Sequence, residues 1–81
     1  MNNRYLALVA LLTHIEMIDL KLQIMRPTSD DEVSSYLLSR EMAWTDIVLM
    51  DPPVHELDSA FHIARRKARV DLGIETPIVL N

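Results

Sequence analysis

The hydrophobic pattern of the first third of the chain predicts a helix. Apolar residues recur every three or four positions, at Leu8, Leu11, Ile15, Ile18, Leu22 and Met25. This spacing places them along one side of a helix. Apolar and polar residues also alternate between positions 18 and 24, which is typical of a strand, but the helical pattern is longer. We therefore expect a first helix over about residues 4–25.

This first helix contains more apolar residues than one buried side requires. Fifteen of the 21 residues from Tyr5 to Met25 are apolar, whereas a helix buried on one side needs about three or four in every seven. The surplus predicts a second covered surface, and we expect the chain to self-associate as a homodimer. The residues expected at that self-association surface are Leu6, Val9, Leu12, Met17, Leu20 and Ile24.

A second helix is predicted over residues 29–50. Ser29 followed by Glu32 forms a capping box, and acidic residues are favourable at a helix N-terminus. Helical spacing continues through Val33, Tyr36, Leu37, Trp44 and Ile47, with Arg40 interrupting it. Residues 44–50 also fit a short buried strand, so a strand at this position stays open.

A third helix is predicted over residues 52–72. Asp51 is the expected N-cap, and Pro52 suits the first helical position. Gly73, the only glycine, is expected to end the helix in a left-handed conformation. The predicted buried line consists of Val54, Leu57, Phe61, Ala64, Ala68 and Leu72. Residues 73–81 form a tail, in which 78–80 could add a strand.

The three helices predict a single all-α domain over residues 1–81, either a small three-helix bundle or a helical hairpin with an extra helix. The alternative is a small α/β module. Residues 46–81 resemble the middle of a response-regulator receiver domain, with Asp51 at the phosphoacceptor position. A receiver's paired acidic residues and its later lysine have no counterpart here. Asp51-Pro52-Pro53 also resembles the loop of adenine-type methyltransferases, but no glycine-rich cofactor loop precedes it.

Composition excludes several classes of protein. The chain contains no cysteine, which excludes disulfides and thiolate metal sites and fits a reducing compartment, so we expect a cytoplasmic location. The net charge of −4 argues against general attraction to nucleic acid or anionic lipid. The longest apolar run, Tyr5 to Leu12, is shorter than the roughly 20 residues that cross a bilayer. We expect no membrane association.

Residues that could perform chemistry are few. His55, Asp58 and His62 would share one side of a helix and could bind Zn²⁺. Nothing in the sequence specifies a further ligand, so we expect a solvated surface without metal or cofactor. No serine or threonine has the neighbouring histidine and acid that activate a nucleophile. The chain is therefore not expected to be an enzyme.

The expected partner-binding surface is the basic cluster of the third helix, His62, Arg65, Arg66 and Arg69. Residues 62–72 carry a net charge of +3, while the rest of the chain carries −7. Cations near a helix C-terminus are favoured by the helix dipole, and arginine also pairs with carboxylates and phosphates. We expect a protein-binding adaptor, regulator or inhibitor. A regulator that binds nucleic acid through the same cluster is the less favoured alternative.

Overall fold

The computed structural model describes residues 3–26 and 29–76, and its secondary structure is helical. The helices are α1 (Asn3–Leu20), which continues into a π-helical segment (Lys21–Met25), α2 (Asp30–Met50) and α3 (Val54–Asp71). Helices contain 86% of the described residues, and no strand occurs among them. The all-α prediction is confirmed. Residues 44–50 are helical, in contrast to the α/β alternative, whereas residues 78–80 lie outside the described residues.

α1 is the central helix. It packs against α2 and against α3, while α2 and α3 make few contacts with each other. The arrangement is flat, with extents of 40 × 38 × 17 Å. Its radius of gyration of 13.8 Å exceeds the roughly 11–12 Å of a compact chain of this length. The buried apolar residues are Leu8, Val9, Leu12, Ile15, Ile18, Ala43, Ile47, Ala60, Ala64 and Ala68. The sides of α2 and α3 that face away from α1 are left uncovered by the chain itself.

The central position of α1 accounts for part of its apolar surplus. Leu8 and Ile15, from the predicted seam, are buried, and so are Val9 and Leu12, which lie off that seam. Because neighbouring helices contact α1 on two sides, a single chain buries both sets of residues. A second copy of the chain is not needed to cover them.

Polar contacts at the edges of the core orient the outer helices. Arg40 Nε donates a hydrogen bond of 2.8 Å to Asp19 Oδ1, which links α2 to α1. On the opposite side, the hydroxyls of Tyr5 and Ser59 are 2.7 Å apart and link α1 to α3. The Arg40 contact explains why an arginine interrupts the apolar spacing of α2, since its guanidinium reaches a carboxylate of α1 while the side chain stays 39% exposed.

Two of the predicted helix caps are confirmed. Ser29 is the N-cap of α2, and its Oγ accepts a hydrogen bond of 3.2 Å from the Glu32 backbone N–H. Gly73 follows α3 with a φ of 74°. The N–H of Ile74 bonds to the Arg69 carbonyl at 2.8 Å, and the N–H of Gly73 bonds to the Val70 carbonyl at 3.0 Å. This pair of bonds is the Schellman motif, which satisfies carbonyls that the helix end leaves free.

The third helix begins two residues later than the sequence predicts. Asp51 is not its N-cap; it ends α2 in a left-handed conformation, with a φ of 47° and its N–H bonded to the carbonyls of Ile47 and Val48. The residue before a proline is disfavoured in the right-handed helical region, and aspartate tolerates the left-handed one. Pro53 occupies the N-cap position without a side-chain hydrogen bond. Val54, expected in the core, is 82% exposed.

The Ser29 cap gives a first testable prediction. Replacing Ser29 with alanine is expected to lower the free energy of unfolding by about 1 kcal/mol, because the Glu32 N–H loses its acceptor. Urea unfolding followed by circular dichroism measures the change. Ser34→Ala is the matched control, since Ser34 is exposed within the same helix and alanine is the better helix former there. Equal destabilisation by both substitutions would contradict the capping role.

Candidate interaction surfaces

The predicted basic cluster lies on the exposed side of α3, but one of its arginines is engaged within the chain. Arg65 Nε is 3.7 Å from Glu16 Oε1, and the Arg65 guanidinium lies 5.6 Å from the centre of the Phe61 ring. The Glu16 side chain is only 18% exposed. This ion pair connects α3 to α1, although the Arg65 side chain itself is 59% exposed.

The other basic residues of α3 face solvent. Arg66, Lys67 and Arg69 are exposed and form no ion pair within the part of the chain that the structure describes. His62 Nε2 lies 3.8 Å from Asp58 Oδ2, as an exposed pair one helical turn apart. These cations can therefore contact a partner without breaking an internal ion pair, apart from the weak one at His62.

The histidines of α3 do not assemble a metal site. His55, Asp58 and His62 lie on the exposed side of the helix. Among residues 3–26 and 29–76, no three His, Cys, Asp or Glu side chains are grouped so that they could hold a metal ion. The contact between His62 and Asp58 is the ordinary interaction of residues four apart on a helix.

The residues predicted for self-association through α1 do not form one surface. Val9 and Leu12 are buried in the core of the single chain, while Leu6 and Ile24 are exposed. Met17 and Leu20 are half-buried. Of the six, Leu6 and Ile24 are the ones that present most of their surface to solvent, and they lie at opposite ends of α1 and its π-helical extension.

Among the described residues, α2 carries more large exposed apolar side chains than any other helix. Only Ala43 and Ile47 of this helix are buried. At 100° per residue, three apolar side chains lie on the opposite side of α2, and two more lie beside them. We call this surface the outer face of α2: Leu37 (49% exposed), Leu38 (61%), Met42 (62%), Val48 (71%) and Leu49 (78%).

Carboxylates border the apolar line of Leu38, Met42 and Leu49 on the outer face of α2. Glu41 and Asp46 are exposed and lie on either side of the line from Leu38 through Met42 to Leu49. The whole helix contains five carboxylates and one arginine, a net charge of −4, and the arginine is engaged with Asp19. The apolar line of Leu38, Met42 and Leu49 therefore has a negative charge on each side, with Glu41 between this line and Leu37 and Val48.

Comparisons with known proteins give no further guide to these surfaces. No protein-family model, curated protein or solved structure matches the chain. Within the described residues, none of the helices has the length and apolar content needed to cross a membrane. Function is therefore argued from the side chains of the chain itself.

Proposed function

We propose that the chain is a protein-binding module whose outer face of α2 docks a helix of its partner. The observation that carries this proposal is the group of five large apolar side chains, each between 49% and 78% exposed, on one helix. Single exposed apolar residues are normal on protein surfaces, but contiguous apolar patches are typical of interaction sites. Fully burying one such side chain contributes about 1.5–3 kcal/mol, so a partner that covers several of them gains appreciable binding free energy.

The chemistry of the surface favours an amphipathic helix with basic flanks as the partner. The line of Leu38, Met42 and Leu49 has spacings of four and seven residues, which matches the apolar line of a second helix packed along it. Glu41 and Asp46 at the borders would then lie beside the flanking positions of the bound helix. Cationic residues at those positions provide electrostatic complementarity, which mainly sets specificity and the rate of association.

Binding without catalysis describes an adaptor, a regulator or an inhibitor, and these roles are part of the proposal. A cysteine-free chain suits the reducing conditions of the cytoplasm, which is the location we propose. The basic residues of α3 are a second, electrostatic surface of the same module. Arg66 and Arg69 are exposed there and suit carboxylates of a protein partner.

Nucleic-acid binding through α3 is the weaker candidate. Tight binding to nucleic acid draws on several phosphate contacts, usually six to ten in a strong complex. Arg65 is engaged with Glu16, and Asp58 lies beside His62, so Arg66, Lys67 and Arg69 are the cations left for phosphates. The net charge of −4 for the chain opposes a polyanion at longer range.

Fluorescence anisotropy with three synthetic helical peptides tests the proposed function. The peptides share one leucine stripe and differ in their flanking residues, which are lysine, glutamine or glutamate. We expect the lysine peptide to bind most tightly and the glutamate peptide most weakly. The double variant Leu38→Glu/Leu49→Glu should weaken binding of the lysine peptide by at least about tenfold, since both ends of the apolar line acquire a charge.

Val54→Glu is the matched control, because Val54 is an 82% exposed apolar residue on another helix. It should leave peptide binding unchanged. Absence of binding to all three peptides at near-millimolar concentration, or equal loss in the Val54 control, would overturn the proposal. Tight, steeply salt-dependent binding of a fluorescent DNA or RNA oligonucleotide in the same assay would favour the nucleic-acid alternative.

A further inference from the structure

One side of α3 has the chemistry that the outer face of α2 is expected to bind. Ile63 is 47% exposed, and the half-buried Val70 lies two turns further along the same side of the helix. At 100° per residue, Arg66 and Lys67 lie on either side of the line between them. We call this surface the flank of α3: Ile63, Arg66, Lys67 and Val70. It is an apolar strip with a cation on each border.

The outer face of α2 and the flank of α3 are complementary in charge. On α2 the apolar line is bordered by Glu41 and Asp46, and on α3 the strip is bordered by Arg66 and Lys67. The two border residues of α2 are both negative, and the two border residues of α3 are both positive. Opposite charges therefore meet across the contact whether the two helices pack parallel or antiparallel. In a single chain the two surfaces belong to helices on either side of α1, so they are not paired with each other.

We infer that the outer face of α2 binds the flank of α3 of a second copy of this chain. The inference rests on the proposed function, since it names a partner for the same docking surface. Pairing of two outer faces of α2 is disfavoured, because each α2 carries a net charge of −4 and like charges across an interface cost free energy. The contact is heterologous, because two different surfaces meet. Each copy binds a second copy through its outer face of α2, and its flank of α3 remains available to a third copy.

A heterologous contact has a consequence that a two-fold dimer does not have. Unless the rotation between copies closes a ring, association continues beyond the dimer. The apolar strip of α3 is small, so the interface belongs to the weak class, with a dissociation constant between about 1 µM and 1 mM. We expect the average mass of the protein to rise steadily with concentration and to fall when salt screens the border charges.

Two blocked variants test the inference by sedimentation and light scattering. The first, Met42→Lys/Leu49→Lys, removes the outer face of α2 and keeps the flank of α3. The second, Arg66→Glu/Lys67→Glu, removes the flank and keeps the outer face. Each variant alone should be monomeric where the wild type associates, with its dissociation constant raised at least about tenfold. Their mixture should form a 1:1 dimer that grows no further, since each partner lacks one surface.

The controls separate this inference from the proposed function. Ile74→Lys changes an exposed residue beyond α3 and should associate as the wild type does. Circular dichroism confirms that each variant is helical, and Glu41→Gln/Asp46→Gln replaces the first variant if lysine there unfolds the chain. A wild type that stays monomeric up to about 1 mM overturns the inference, whereas the peptide assay still decides the proposed function. Association of the Arg66→Glu/Lys67→Glu variant at wild-type strength, or no dimer in the mixture, overturns it as well.

Discussion

Replacing Leu12 with alanine is expected to lower the free energy of unfolding by about 2–5 kcal/mol. Leu12 is 0% exposed and belongs to the core cluster that contains residues from all three helices. The loss combines the transfer free energy of the deleted atoms with the cost of the cavity that they leave. Total stabilities of small domains are about 5–15 kcal/mol, so the variant should lose a large part of its stability. Denaturant unfolding monitored by circular dichroism measures it.

Leu6→Ala is the matched control for this prediction. It deletes the same atoms from the same helix, but at a side chain that is 48% exposed, so the loss should be clearly smaller. The protein concentration distinguishes two roles for Leu12. If Leu12 lies in the core of the single chain, Leu12→Ala lowers the free energy of unfolding by the same amount at any protein concentration. If Leu12 lies at an interface between copies, the effect of the substitution varies with protein concentration. An unfolding midpoint of Leu12→Ala that shifts with protein concentration more than that of the wild type would contradict its place in the core.

The number and extent of the helices could be predicted because their ends are specified locally. The Ser29 side chain accepts a hydrogen bond from the N–H of Glu32, three residues further along the chain. Gly73 adopts a left-handed conformation that other residues avoid. Neither feature depends on the rest of the fold. Asp51 shows the limit of such local inference, because aspartate before two prolines suits both a left-handed helix end and an N-cap. The sequence favoured the N-cap, but α2 extends to Met50, so Asp51 ends that helix and does not begin the next one.

The orientation of α2 could not be predicted from its sequence. Apolar residues are distributed around the whole helix, so periodicity does not indicate one buried side. Leu37, which shares the helical spacing of Ile47, is about half exposed, while Ala43, which no pattern singled out, is buried. Contacts with α1 decide the matter, since Ala43 and Ile47 join its core cluster and Arg40 bonds to Asp19. The outer face of α2 is the consequence: apolar residues that the helix carries in excess of what α1 can cover.

The apolar surplus of α1 illustrates the opposite case, in which one sequence pattern fits two arrangements. The sequence predicted that this helix is covered on two sides, and the burial of Val9 and Leu12 agrees with such cover. Whether a second copy or the chain itself provides it depends on how α2 and α3 are placed. Because each of the two packs along α1, the chain itself covers Val9 and Leu12, whereas Leu6 and Ile24 stay exposed.

The contact between α1 and α3 leads to a prediction of the opposite kind, in which adding atoms destabilises the protein. Ala60, Ala64 and Ala68 follow each other at four-residue intervals and are each 0% exposed. Their methyl groups are fully buried where α3 packs against α1, so a larger side chain at one of these positions meets other atoms and not solvent. Ala64→Leu is therefore expected to cost about 1–3 kcal/mol, because the added carbons force side chains out of their rotamers or push the helices apart.

Ala10→Leu is the control, since Ala10 is exposed on α1 and leucine is nearly as good a helix former as alanine. Its effect on the free energy of unfolding should be within a few tenths of a kcal/mol. Thermal and denaturant unfolding of both variants measure the difference. If Ala64→Leu proved as stable as the wild type, α3 would have room to move away from α1 at little cost. The link from Arg65 to Glu16 would then not hold α3 in place, and the flank of α3 could not be treated as a fixed surface for a second copy.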